Sequence, residues 1–353
     1  MTRGTTKTRR PIRVVAALIT VGALALSACG SSDDTSSDTT AAASDTTAAA
    51  AADQPLGADC DAIDATGSES DTGEWALQTS STPTMLTELE TSLENCEPIV
   101  VTLWHPHWAY AAYSLKDLKD PNGSMGEGEQ IWTTANKEWA GDSANSDLLE
   151  ALKGFEMSDA QLAALEVFTA NTFKDDPEKG AEEWLKDPEN KSLADGWVEG
   201  LSGDGESVEI GLIAWDEDIA VTNLWKVLLE DAGYEVNVTE LDAGPLFEGM
   251  ASGDLDFFFD TWLPTTHEDY WNQYGDKLEK VSQWFGGSAT LNIAVPTYMN
   301  IDSLDELAEW GKDVDDKIVG IEPGAGLTRI TQCMMMPDYE LAAKPDALVC
   351  DAS

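Results

Sequence analysis

Four stretches of the chain repeat one pattern: a short, nearly continuous apolar run, then a cluster of distinctive residues, then helical spacing. The run PIVVTL (98–103) leads into Trp104-His105-Pro106-His107-Trp108. VEIGLIA (208–214) leads into Trp215-Asp216-Glu217-Asp218 and a helical pattern that continues through Leu229. LDFFFDT (255–261) leads into Trp262-Leu263-Pro264-Thr265-Thr266-His267. KIVGI (317–321) leads into Glu322-Pro323-Gly324-Ala325-Gly326-Leu327, with a helix expected from Thr328. Apolar strands alternating with helices predict an α/β fold whose parallel-rich sheets are covered on both faces. Ligands of such sheets bind beyond the carboxyl ends of the strands, at topological switch points. Here three strands end in a tryptophan and the fourth in a glycine loop.

The chain has thirteen tryptophans. Trp132, Trp139, Trp184, Trp197, Trp225 and Trp310 lie within helical patterns and are expected in the core. Trp104, Trp215 and Trp262 stand where a cleft opens, and their chemistry suits a particular cation. A tetraalkylammonium group has no N–H to donate, so hydrogen bonds cannot hold it, whereas aromatic faces can. The glycine loop offers the complementary end. Gly324 and Gly326 let backbone amides approach a carboxylate, and the following helix start favours negative charge. His267 is a candidate second donor. The acids Asp216 and Asp218 receive no role, since paired acids are common in so acidic a chain.

The ends set the location. Arg3, Lys7, Arg9, Arg10 and Arg13 precede an apolar run over 14–26, too short to span a bilayer, so residues 1–29 read as a signal peptide. It closes on Leu26-Ser27-Ala28-Cys29, the spacing of a cysteine lipidated after cleavage. Residues 30–57, poor in apolar side chains, read as a flexible tether. The rest is long enough for two lobes. Net charge is −46, which repels nucleic acid and excludes it as a partner. Cys60, Cys96, Cys333 and Cys350 are an even number in an oxidising compartment and predict two disulfides. Three pairings are open; position along the chain suggests a clasp from Cys60 to Cys350.

The strings VVTLWHPHWAYAAYSLKDLKDP, IGLIAWDEDIAVTNLWKVLLEDAGYEV, FFDTWLPTTHEDYW and GIEPGAGL resemble the glycine betaine-binding proteins of osmoprotectant ABC importers. With the intervening segments the resemblance covers most of residues 75–340. It implies a type II, two-lobed periplasmic-binding-protein fold with the ligand cleft between lobes. One lobe is expected over 58–112 and 298–353, the other over 113–297, with a hinge strand near 291–296. The resemblance implies a cage of Trp104, Trp215 and Trp262 around the ammonium group. It also implies carboxylate contacts from the amides of Gly326 and Leu327 and from His267. It further implies a circularly permuted order, with the Trp104 segment first and the glycine loop last. Pro337, following Cys333-Met334-Met335-Met336, is expected to break the helix after that loop early.

The expected function is thus solute capture, without a cofactor, at the outer face of the cell membrane. The expected partners are a betaine, glycine betaine or proline betaine, and the importer's permease and ATPase subunits, with lipid anchoring at Cys29. Choline, carnitine or ectoine is the alternative ligand. A metal-binding lipoprotein built on His105, His107 and His267 is a further alternative, and no metal is expected. An enzyme is not expected, because G-x-S-x-G, a phosphate loop with lysine, and H-E-x-x-H are all missing.

Overall fold

A computed structural model describes residues 54–67, 74–343, 345 and 350. The signal segment, the lipidation site Cys29 and most of the tether lie outside the described residues. Among the described residues ten strands form two sheets: β1 Ala76–Thr79, β2 Val101–His105, β3 Leu115–Asp117, β4 Gln130–Asn136, β5 Ser207–Leu212, β6 Glu235–Glu240, β7 Phe257–Leu263, β8 Leu278–Gln283, β9 Thr290–Pro296 and β10 Lys317–Gly320. The first sheet has the order β1-β10-β2-β9-β3 and the second β6-β5-β7-β4-β8.

Each sheet is parallel on one side and antiparallel on the other. In the first, β1, β10 and β2 run parallel, while β9 runs against β2 and β3. In the second, β6, β5 and β7 run parallel, while β4 runs against β7 and β8. The four strands expected from their apolar runs are β2, β5, β7 and β10, and they carry the parallel pairings. β7 lies between β5 and β4 and is buried at every position, which is why its sequence is apolar apart from Asp260 and Thr261.

Strands β3 and β9 fall beyond the expected lobe borders at 112/113 and 297/298, yet they hydrogen-bond into the first sheet. Their antiparallel register to β2 is a long-range pairing that leaves no mark on local spacing. Trp132 lies on β4 and not on a helix, and both Trp132 and Trp139 are half-buried. Trp184, Trp197, Trp225 and Trp310 are buried as expected. Around the second sheet Phe155 stacks on Trp284 at 5.3 Å and Trp225 on Phe259 at 5.7 Å. On the first sheet, the helix Thr82–Asn95 buries Met85, Leu89 and Leu93, spaced four apart along one stripe.

Two disulfides join Cys60 to Cys96 and Cys333 to Cys350. The clasp from Cys60 to Cys350 is therefore not the pairing. Cys96 sits in the left-handed C-cap position of the helix Thr82–Asn95, with its Cα 5.6 Å from that of Cys60. Pro337 does not end the last helix early either. The helical run from Gly326 passes through a π-turn at Thr331–Met335 and continues to Asp338. The wider turn accommodates a residue that has no N–H to donate.

Candidate functional site

Past the ends of β2, β7 and β10 and the start of the helix Asp216–Asp231, side chains from both sheets close one pocket. Trp104, Trp215, Trp262, Glu217, Thr266, Leu291, Ile321, Ala325, Gly326 and Leu327 line it, around about 280 Å³ of space. The three tryptophans are 3%, 5% and 2% exposed, so water reaches little of any ring.

Each indole is fixed by its N–H. Trp104 Nε1 donates to Glu217 Oε2 at 2.9 Å, Trp215 Nε1 to Glu322 Oε1 at 2.7 Å, and Trp262 Nε1 to Asp260 Oδ1 at 2.8 Å. Asp260 and Trp262 are two apart on β7, so they share one face of the strand. The bonds of Trp104 and Trp215 cross between the two halves of the molecule. Trp104, the penultimate residue of β2 in the first sheet, reaches the helix after β5. Trp215 follows β5 of the second sheet and reaches the loop after β10. Beside them Trp108 Nε1 donates to Asp216 Oδ2 at 2.5 Å.

The helix Asp216–Asp231 begins directly after Trp215, with Asp216, Glu217 and Asp218 in its first turn. Negative charge there suits the helix dipole. All three are buried, although the sequence reading assigned no role to Asp216 and Asp218. Asp218 pins the strand end to the helix, accepting from the Ile213 amide at 2.7 Å and from Thr222 Oγ1 at 3.0 Å. Burial drives Glu217 and Asp218 well above the usual carboxylate range, and the charge of Asp260 adds to both. Burial also lifts Asp260 to about 7, against the indole N–H of Trp262, which lowers it.

His267 is fully buried, and its ring stacks on Trp215 at 5.5 Å without joining the pocket lining. Its Nδ1 accepts the Trp262 amide at 2.9 Å, so the proton sits on Nε2, which has no partner among the described residues. Burial and the nearby Arg329 guanidinium hold its pKa down to about 3, so the ring is a neutral donor.

The glycine loop meets the Thr265–His267 turn. A Cβ on Gly326 would lie 2.2 Å from the Thr266 carbonyl oxygen, so this close approach admits only glycine. Gly324 has φ +98°, in the left-handed region, and its carbonyl accepts from Tyr270 Oη at 2.9 Å. Arg329 adds an ion pair to Asp269 at 3.1 Å and a bond to the Thr265 carbonyl at 3.3 Å. Glu129 accepts the amides of Thr265 at 2.6 Å and Thr266 at 2.9 Å, and the Thr266 hydroxyl.

Of the residues singled out in the sequence, Trp104, Trp215, Trp262, Gly326 and Leu327 meet at the pocket and His267 stands behind it. Glu217, Asp260 and Glu322 were missed. The signal for Asp260 was an acid directly after three phenylalanines in a mostly apolar run. The three histidines go separate ways: His105 to Asp117 at 2.9 Å, His107 to Asp216 at 3.2 Å, and His267 to the Trp262 amide. No group of three His, Cys, Asp or Glu placed to hold a metal occurs among the described residues.

The sequence matches a protein family described as the substrate binding domain of ABC-type glycine betaine transport systems, over residues 39–187 and 206–349. It is also 32% identical over 239 residues to the glycine betaine/carnitine transport binding protein GbuC of Listeria monocytogenes. That match covers 67% of this chain and 77% of the relative.

Proposed function

The chain belongs to the family of substrate-binding domains of ABC-type glycine betaine transport systems, and from that premise we propose that it captures a zwitterionic quaternary-ammonium solute, glycine betaine or proline betaine. The family has the type II periplasmic-binding-protein fold and serves transport, not catalysis. As the substrate-binding component of an ABC importer, the protein works with a membrane permease and an ATPase.

The observation that carries the choice of ligand is the convergence of three indoles on one small pocket. Each aromatic face attracts a desolvated cation by up to about 2 kcal/mol, so three supply roughly 6 kcal/mol. The amides of Gly326 and Leu327 and the Nε2–H of His267 take the carboxylate. The unpartnered, buried Nε2–H supports this, because a donor left unpaired costs stability that a bound anion restores. Carnitine is the second reading, favoured by the name of the Listeria relative; choline and ectoine are less well matched, choline because it lacks the carboxylate.

Lipidation at Cys29 tethers the domain outside the membrane through the residues that follow it, a tether shorter than 30–57 because Leu56 already pairs with Tyr113 in the folded domain. No helix among the described residues is long and apolar enough to cross a membrane. The two sheets form the cores of two lobes, and the chain crosses between them in 118–129 and 284–289. Ligand contacts from both lobes favour the closed form by their differential binding.

A thermal-shift screen with glycine betaine, proline betaine, carnitine, choline, ectoine and dimethylsulfoniopropionate tests the ligand class, since a bound ligand raises the midpoint by mass action. Calorimetry on Trp104→Ala, Trp215→Ala and Trp262→Ala tests the cage. Each change should weaken binding at least tenfold, and the corresponding Phe variants less, because a π face remains. Unaltered affinity in all three alanine variants would falsify the cage.

A further inference from the structure

We propose that Glu217, Asp260 and Glu322 are specificity-determining residues of the pocket. Through the indole N–H groups of Trp104, Trp262 and Trp215 they fix the three rings and make the pocket electronegative, so that it takes a cationic head and rejects a neutral one of the same shape. The proposal rests on the quaternary-ammonium reading above.

The choice of acceptor sets these tryptophans apart. Trp284 Nε1 donates to the Phe259 backbone carbonyl at 2.6 Å, and the buried N–H groups of Trp184 and Trp225 have no partner among the described residues. A buried indole in this fold therefore needs no carboxylate. Yet all three rings of the pocket, and Trp108 beside them, have one. Burying a charge without a cation is costly, and a carbonyl would satisfy the N–H as well. No lysine or arginine among the described residues is ion-paired with Glu217, Asp260 or Glu322, and Asp260 Oδ2 is buried without a partner. An N–H donating to a carboxylate polarises the indole and makes its face more negative, the property a cation reads.

The charged neighbours of Glu217 and Asp260, which face each other as a pair, are themselves acidic. Glu217 faces Asp260 and Glu166, Asp260 faces Glu217 and Asp218, and Glu166 faces Asp216, Asp260 and Asp159. His107 Nε2 lies 3.2 Å from Asp216 Oδ2, and its Nδ1 accepts the Ala109 amide. With Asp260 raised to about 7, the pair holds a proton near neutral pH, and a fixed cation nearby displaces it. Affinity for a permanent cation therefore rises with pH as the pair ionises.

The test compares glycine betaine with 3,3-dimethylbutanoate, which replaces the ammonium nitrogen by carbon, using calorimetry from about pH 6 to about 8.5 in buffers of different ionisation heat. With wild-type protein, betaine binding should release protons and tighten severalfold as pH rises, and the analogue, an anion whose head is uncharged, should do neither. Glu217→Gln and Asp260→Asn keep an acceptor oxygen for the indole but lose the charge. Each should weaken betaine about tenfold at pH 8 and flatten its pH profile, without weakening the analogue with the uncharged head. Equal losses for both compounds, or a flat wild-type profile without proton release, overturn the proposal and leave these acids as ring supports. The wild-type profile needs no variant to fold. A wild-type protein that binds no quaternary ammonium at all overturns the proposed function itself, a result distinct from betaine binding that ignores these acids.

Discussion

His267 can act only as a donor through Nε2, because the Trp262 amide occupies Nδ1. With its pKa held down to about 3, the ring carries no charge at any pH where the protein is used. Replacing it by alanine should cost glycine betaine roughly 1.5–3 kcal/mol, the range for a hydrogen bond to a charged group, and should hardly affect choline. The ratio of wild-type to variant affinity should stay constant from about pH 5.5 to about 8, whatever slope the acids impose on both proteins. Calorimetry of both ligands decides the matter. Equal losses for betaine and choline mean that the ring supports Trp215, on which it stacks, and does not touch the carboxylate.

At the scale of elements, the contact between the glycine loop and the turn after β7 leaves no room for a side chain at Gly326. Gly326→Ala should separate them, at a cost of about 1–3 kcal/mol for overpacking. Because this contact joins loops that follow different sheets, the cost should fall on closure, and betaine should bind about tenfold or more weakly in a titration. Affinity equal to wild type would show that the loop adjusts freely. The Cys60–Cys96 disulfide ties the segment before β1 to the end of the helix Thr82–Asn95 across 36 residues. Removing a crosslink over a loop of that size should lower unfolding free energy by about 3–4 kcal/mol, measured as a lower urea midpoint for the paired Cys60→Ser, Cys96→Ser variant. These contacts were only partly legible beforehand. The apolar runs marked β2, β5, β7 and β10, and a strand was expected at 291–296, where β9 lies; that β9 pairs with β2 and β3 inside the first sheet, and β4 with β7 and β8, is decided at long range.

For the whole molecule, 66 acidic residues against 20 basic ones give a charge of −46. Self-repulsion at that charge raises the energy of the compact state, and salt screens it. Raising NaCl from about 0.05 M to about 1 M should therefore raise the thermal midpoint by several degrees. The buried acids act in the same sense with pH. Asp260 in the folded chain keeps its proton up to about 7, whereas the unfolded chain loses it near 3.8. Its contribution to stability is thus present at acid pH and lost as pH rises through that interval. His267 works the other way: the unfolded chain binds its proton near 6.5 and the folded chain does not until about 3, so stability from this ring is lost as pH falls. Urea titrations of wild type and Asp260→Asn at about pH 5.5 and about pH 8 separate the two, with the gain from Asp260→Asn expected at the higher pH.

Strand-end tryptophans, the glycine loop and the four strands that present them were all readable from local pattern. A strand buried on both faces must be apolar along its length, and a ligand edge must interrupt that run. What the sequence could not determine was which partner each of these groups would meet. Cys60 found Cys96 and not Cys350 because of where a helix ends in space. Glu217, Asp260 and Glu322, three acids in a chain full of them, became the acceptors of three indoles through pairings that cross between the sheets or lie along β7. Acidic side chains are the ordinary surface of this protein, so composition hides the few that are buried. Only tertiary packing removes their water, and that removal changes their protonation and gives them a part in the pocket.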